Sequence, residues 1–516
     1  MRTPTWVRTL RRLALTSLAV TGLAGAARAT WSIILVDRST GEVAIGCATC
    51  LENFDLELWV PVMKVGLGGG CSQSAIDTTG DIRRAIWDGL DNGDAPVDIL
   101  KTIMGFDGNF YSRQIGIVDM QGRAQTYTGG GCGSWAGGVK GRQNKLTYAI
   151  QGNVLAGGCV ITDAESAVLN TSGDLAEKLM AAMEAAQADG GDGRCSCSPV
   201  APDSCGCPPS GFDPTKNKAA HCAFMMVARI GDVDGDCTKT NGCSTGTYFF
   251  NVNIANQTAS DPDPVLQLRT AFDAWRQNQI GRPDHLLTTK TVTPATAPGN
   301  GTSAASLDLT AIDWQGVAVG HGGATVTVKH APQSAKLAAI GTPVDHGDGT
   351  YSIPLTAGAG QGRDVFEVVL DDGISPVTLY PFPTFDETAT LTSDVASLSA
   401  AAGGTANLGL LGPALTNPPP YLLLASASGT TPGLPIGPVV LPLNFDGVVV
   451  LSFVLRNSAQ FVNTDGTLLP DGTQAAQFVA AANELTPLIG YDLAFAYFTR
   501  SPVTFASNAV LVNVTN

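Results

Sequence analysis

No histidine occurs in the first 220 residues, and no cysteine in the last 273. The first absence removes the imidazole on which a Ser-His-Asp triad depends, so such a triad is hard to assemble in the early part of the chain. The P-loop, the H-E-x-x-H zinc motif and the G-x-S-x-G elbow are missing as well. Basic residues are scarce, with 30 Lys and Arg against 45 Asp and Glu. An acidic chain of this kind attracts neither nucleic acid nor anionic membrane, so neither is expected as a partner. Beyond the first 29 residues no apolar stretch approaches the about 20 residues that a membrane-spanning helix needs.

What the chain does have begins with an export signal. Arg2, Arg8, Arg11 and Arg12 precede an apolar run from Leu13 to Ala26, and Ala27-Arg28-Ala29 gives the small-x-small pattern of a signal peptidase site. Residues 1–29 therefore read as a cleaved signal peptide, with Thr30 as the mature terminus. The expected destination is secreted, periplasmic or cell-surface.

All 12 cysteines fall between Cys47 and Cys243. An even number in an exported protein points to disulfides. Cys195, Cys197, Cys205 and Cys207 could instead ligate zinc, but their C-x-C spacing and the oxidising compartment favour disulfides. Cys237 and Cys243 are expected to close a small loop. Cys47 and Cys50 have redox-motif spacing, yet in a strand they would point to opposite faces.

Hydrophobic patterning predicts a hairpin from strands 31–37 and 43–49, then helices at 80–91 and 95–104. Strands at 114–119 and 123–128, joined by Met120-Gln121-Gly122, precede an amphipathic helix at 173–188 that Gly190 and Gly191 terminate. Strands at 223–229 and 247–254 and a helix at 264–277 complete an α+β layered domain. Residues 286–305, rich in Thr, Pro, Ala and Gly, read as a linker. Short strands at 325–330, 350–356, 364–370 and 376–380 suggest a β-sandwich, and a β-rich stretch with the apolar run Val448–Leu455 follows.

Asp232, Asp234 and Asp236 resemble half a calcium loop, but the glycine that such a loop requires is replaced by Cys237 and no Glu closes it; a disulfide-tied acidic loop fits better. The remaining chemical candidate is Thr30. Cleavage after Ala29 would put an amine of reference pKa about 7.7–8.0 on the same residue as a hydroxyl, so roughly a tenth is neutral at pH 7 and can serve as base. A nucleophile with its own base needs no histidine. The same position also fits an arbitrary residue that follows a cleavage site.

Thr30-Trp31-Ser32-Ile33, Asp37, Thr40-Gly41-Glu42, Gly66-Leu67-Gly68, Ser72-Gln73-Ser74 and Arg113-Gln114 occur in an order that resembles the bacterial domain-of-unknown-function family 1028. Val118-Asp119, Gly122, Tyr127-Thr128-Gly129, Cys132, Trp135-Ala136-Gly137, Gln151-Gly152-Asn153, Gly173–Leu179 and Asp261–Pro264 continue the resemblance, over about 30–280. It implies a four-layer αββα N-terminal-nucleophile-hydrolase-like sandwich and amide hydrolysis through an acyl-enzyme on Thr30. A histidine frequent in the family after Ala-Gly is here Gly138, so its role is lost. Gln73 and Asn153 are candidate hydrogen-bond donors to an oxyanion, or else turn and strand-end residues. Arg113 could hold a substrate carboxylate or pair with an acid, and Trp135 could line a pocket or fill core. The segment Thr325–Leu370, containing His346-Gly347-Asp348-Gly349-Thr350-Tyr351, resembles bacterial immunoglobulin-like modules of the invasin and filamin kind.

The organisation expected is a hydrolase-like domain at 30–282 with a cysteine-rich insertion at about 193–245, then a linker at 283–305. An immunoglobulin-like sandwich at 306–384 and a C-terminal β-rich module at 385–516 follow. Neither cofactor nor metal is expected. The substrate would be an amide-containing or cell-envelope compound, and self-association is compatible with the sequence. The alternative is a non-catalytic surface protein that keeps the sandwich as a binding scaffold.

Overall fold

The computed structural model describes residues 29–516; Ala29 apart, the expected export signal lies outside them. The chain forms two compact units, divided in sequence between Phe272 and Asp273.

The first unit contains strands β1 (Thr30–Asp37), β2 (Glu42–Thr49), β3 (Pro61–Lys64), β4 (Gly68–Ser74), β5 (Arg113–Asp119), β6 (Ala124–Thr128), β7 (Ala136–Gln143), β8 (Leu146–Asn153), β9 (Cys222–Ala228) and β10 (Phe250–Ile254). Its helices include α1 (Leu56–Trp59), α2 (Asp81–Asp91), α3 (Pro96–Phe106), α4 (Cys159–Asn170) and α5 (Leu175–Ala188). One sheet runs β10-β9-β2-β1-β8-β7 and the other β3-β4-β5-β6. Their inner faces meet through Ile34, Val36 and Ile45 from one and Met63, Cys71 and Val118 from the other. Ile86, Leu90, Ile99 and Ile103 of α2 and α3 pack on the outside of the smaller sheet. On the larger sheet, Gly46 leaves room for α5: a Cβ there would stand 2.8 Å from Met183 Sδ. β1 and β2 are covered on both faces, which is why they read as nearly unbroken apolar runs.

The expected hairpin, the helices at 80–91, 95–104 and 173–188, and the strands at 114–119 and 123–128 are present. Asp174 caps α5, accepting from the Glu177 N–H at 3.0 Å. β4 and β7 carry no strand signal in the sequence, because glycine is poor in strands. The glycines answer to packing instead. A Cβ at Gly69 would lie 2.8 Å from Ile45 Cδ1, and one at Gly70 would lie 2.9 Å from Ile86 Cγ2.

Four disulfides join Cys50 to Cys195, Cys159 to Cys207, Cys197 to Cys205 and Cys237 to Cys243. The even count overstates the bridging, since Cys47, Cys71, Cys132 and Cys222 are unbridged and buried. Cys47 and Cys71 serve as small apolar side chains between the sheets, while the Cys132 and Cys222 thiols donate to the carbonyls of Arg113 and Leu51. Two carboxylates of the acidic triplet are taken up by the protein's own main chain. Asp232 accepts from the N–H groups of Arg229 and Phe249, both at 2.8 Å, and Asp234 from that of Val65 at 2.8 Å.

In the second unit the segment expected as a linker is partly strand. Thr289–Thr293 pairs with Ala304–Thr310, and Thr296–Pro298 pairs with Thr384–Thr388. Alternation explains it: Val292 turns inward while the flanking threonines stay exposed. One core gathers Leu307, Tyr351, Ile353, Phe366 and Phe385. A second gathers Tyr421, Phe478, Phe495, Tyr497 and Phe505 between two further sheets. The apolar run after Asp446 is a helix, Gly447–Val454, because the Asp446 carboxylate accepts from the Val448 and Val449 N–H groups at 2.9 Å. No helix among the described residues is long and apolar enough to cross a membrane.

Candidate functional site

Strand parity brings the polar residues of the first unit together. Thr30 and Ser32 share the face of β1 that carries Ile34 and Val36, so both point between the sheets. The same parity turns Thr49, Gln73, Gln114 and Gln151 inward, and all six are completely buried. Apolar side chains fill most of the space between the sheets, and this cluster occupies one end of it.

The cluster is ordered by amide side chains. Gln73 Nε2 donates to the Thr30 carbonyl and to Gln114 Oε1, each at 2.9 Å. Gln114 Nε2 in turn donates to Thr128 Oγ1 at 2.9 Å and to the carbonyl of Gly152 at 2.8 Å. Gln151 Nε2 reaches Ser32 Oγ at 2.5 Å. Asn153 lies opposite Thr30 in the β1–β8 ladder and donates to the Cys132 carbonyl at 3.3 Å. The main chain at the start of β1 is thus held by β8 within its own sheet and by Gln73 from the facing sheet.

At the very start of β1 the Ala29 carbonyl oxygen accepts from three groups. Thr49 Oγ1 lies 2.5 Å away, Thr30 Oγ1 2.6 Å and Arg194 Nη2 3.2 Å. Arg194 is fixed by Asp192, whose buried carboxylate also accepts from the Cys50 N–H at 2.7 Å.

The other expected site residues are placed as follows. Arg113 forms a two-toothed ion pair with Asp107, at 2.8 and 3.2 Å, and donates to the Ala75 carbonyl. Burial pushes the Asp107 carboxyl up, but Arg113 and the Asn109 N–H together hold it below its usual range. Trp135 is half-buried directly before β7, whose first residue pairs with Asn153. Thr49, Gln114, Gln151, Asp192 and Arg194 join the site although the sequence singles none of them out as a site residue; Gln114 and Gln151 lie in segments that carry the family resemblance. For the first three the available signal is parity: each falls on the inward register of an otherwise apolar or glycine-rich strand.

The unbridged thiols are poor nucleophiles. Burial pushes Cys71 up to about 12 and Cys47 well above the usual thiol range. Among the described residues, Cys50, Cys195 and His221 are close enough to share a metal ion. The two sulfurs are bonded to each other, which leaves no thiolate for such a site.

Residues 30–200 match the model of a family of unknown function, DUF1028, and residues 286–380 match that of invasin domain 3. A solved DUF1028 protein of Silicibacter pomeroyi is 20% identical over 48% of this chain and 85% of its own, with a TM-score of 0.35. An adhesin of Yersinia pseudotuberculosis is 15% identical over 45% of this chain and 61% of its own, with a TM-score of 0.19. An invasin described as a bacterial integrin-binding protein is 9% identical over 94% and 60%, with a TM-score of 0.19. No curated protein matches the chain. The chain therefore carries a mixed α/β region of DUF1028 type, followed by a β-rich region with an invasin-like module. Its disulfides and that module point to an extracellular or surface protein.

Proposed function

We propose that the first unit is an exported N-terminal-threonine amidohydrolase with a four-layer N-terminal-nucleophile fold, and that the β-modules present it at the cell surface. The observation that carries the reading is the position of Thr30. Its hydroxyl sits at the inner end of β1, beside the Ala29 carbonyl oxygen and inside a fully buried hydrogen-bonded cluster.

Cleavage after Ala29 would free the Thr30 amine. That amine takes the hydroxyl proton as Oγ1 attacks the substrate's amide carbon. The carbonyl π electrons move to oxygen; when the tetrahedral centre collapses, the C–N bond breaks and the amine leaves with the proton. Water then attacks the ester, giving a carboxylic acid and restoring Thr30. Gln73 orients the nucleophile's own main chain through the Thr30 carbonyl, a positioning role. Arg113, committed to Asp107, supports the framework instead of a substrate carboxylate.

The match of residues 286–380 to an invasin module favours a second reading, a surface-binding protein in which the α/β unit is a scaffold. Cell-wall binding by wild type and Thr30→Ala protein separates the two. Binding unchanged by the substitution, with no turnover of envelope amides by wild type, supports the scaffold. Release of new amine termini from the envelope by wild type alone supports the hydrolase.

A further inference from the structure

We propose that Thr49 and Arg194 form the carbonyl-oxygen site of Thr30, and that the Cys50–Cys195 disulfide clamps that site. The inference rests on the reading of Thr30 as nucleophile.

The Ala29–Thr30 peptide sets a carbonyl oxygen beside Thr30 Oγ1, at 2.6 Å. In an ester on Thr30 Oγ1, the carbonyl oxygen lies about 2.3 Å from Oγ1, as ordinary C–O and C=O lengths require. The Ala29 oxygen lies 2.6 Å from it, within a few tenths of an ångström of that distance. Two donors other than Thr30 already point there: the Thr49 hydroxyl at 2.5 Å and the Arg194 guanidinium at 3.2 Å. A neutral hydroxyl and a cation aimed at one oxygen suit a charge that develops only in the transition state.

The surroundings hold both donors still. Thr49 is buried at the end of β2, and the Arg194 side chain is 20% exposed and paired with the buried Asp192. The residue after each donor is a cysteine, and those two cysteines are bonded to each other. Asp192 adds a second tie, accepting from Arg194 Nε at 3.1 Å and from the Cys50 N–H at 2.7 Å. The 145-residue separation of Cys50 and Cys195 is therefore closed at the point where the two donors converge. Part of the cysteine-rich insertion thereby acquires a chemical role, because it delivers a cation to the nucleophile's carbonyl site.

In the proposed step the Thr30 amine receives the hydroxyl proton and Oγ1 bonds to the acyl carbon. The carbonyl electron pair moves to oxygen, where Thr49 donates its O–H and Arg194 an N–H without transferring a proton. The pair returns as the leaving amine departs. The reaction needs no further reactant before water.

The test measures the labelling rate of Thr30 in full-length mature protein by an alkyl β-lactone, resolved into the maximal rate and the half-saturating concentration. Thr49→Val keeps the shape and removes the donor, so the maximal rate should fall about 10²-fold with half-saturation unchanged. Thr49→Ser should restore it to within a few-fold. Arg194→Met, at a partly exposed side chain, should fall comparably and gives a second arm free of core packing. Wild type labelled on Thr30 while Thr49→Val and Arg194→Met react at wild-type rates overturns this assignment and leaves the nucleophile intact. Wild type with a verified Thr30 terminus that does not label overturns both.

Discussion

Gln73 donates its side-chain amide to the main-chain carbonyl of Thr30 at 2.9 Å. The bond ties the smaller sheet to the first residue of β1. Gln73→Ala leaves that buried carbonyl without its amide and should cost about 1–3 kcal/mol in the first unit. Hydrogen exchange read on residues 30–37 checks it: faster exchange at the start of β1 is expected, with the second unit unchanged.

Gly116 exists to admit Gln151. A Cβ at position 116 would stand 2.2 Å from Gln151 Oε1 and 2.5 Å from Cδ. Gly116→Ala should therefore push Gln151 away from Ser32 and destabilise the unit by about 1–3 kcal/mol. Urea unfolding followed by tryptophan fluorescence measures the loss. Gly108→Ala, at a glycine with nothing near its would-be Cβ, is the matched control and should be near neutral.

The cysteine assignment gives a countable result. Native protein under non-reducing conditions should expose no reactive thiol, and denatured protein four, from Cys47, Cys71, Cys132 and Cys222. Cys195→Ser should raise the denatured count by one, from Cys50, and lower stability by about 2–5 kcal/mol. A count of eight or more in unreduced wild type would restore the zinc reading of the cysteine-rich loop.

The second unit carries a pH signature. Burial, helped by the neighbouring Asp364 carboxylate, pushes Glu387 up to about 7. A raised folded pKa favours the protonated form, so Glu387's contribution is complete below its ordinary value near 4.5 and is lost as pH rises through about 7. The melting temperature of the wild-type unit should fall between pH 5 and pH 8. Glu387→Gln should flatten that fall, and a variant with the wild-type slope would remove Glu387 as its cause.

Much of the first unit was legible because its strands and helices obey simple periods. The β1–β2 hairpin, α2, α3 and α5 follow from apolar spacing and from caps such as Asp174. What escaped was the glycine-rich structure: β4, where tight packing between layers overrides propensity, and β7, whose Gly138 and Gly141 lie against Gln151 and Tyr148 of the adjacent strand. The 286–305 segment escaped for the opposite reason: its threonines look like a linker until Val292 is paired into a sheet. Thr30 could be named from the cleavage site and the resemblance. Arg194 could not, since it reaches Ala29 through tertiary ties, the Cys50–Cys195 disulfide over 145 residues and the Asp192 carboxylate that accepts from the Cys50 N–H.

The central claim is that Thr30 is a nucleophile once its amine is free. Exported protein, confirmed by N-terminal sequencing to begin at Thr30, is treated with an alkyl β-lactone and read by intact mass and peptide mapping. The account predicts one adduct, on Thr30, and none on Thr30→Ala protein of the same fold. A mature terminus elsewhere, no adduct on wild type, or an adduct that persists in Thr30→Ala would contradict it.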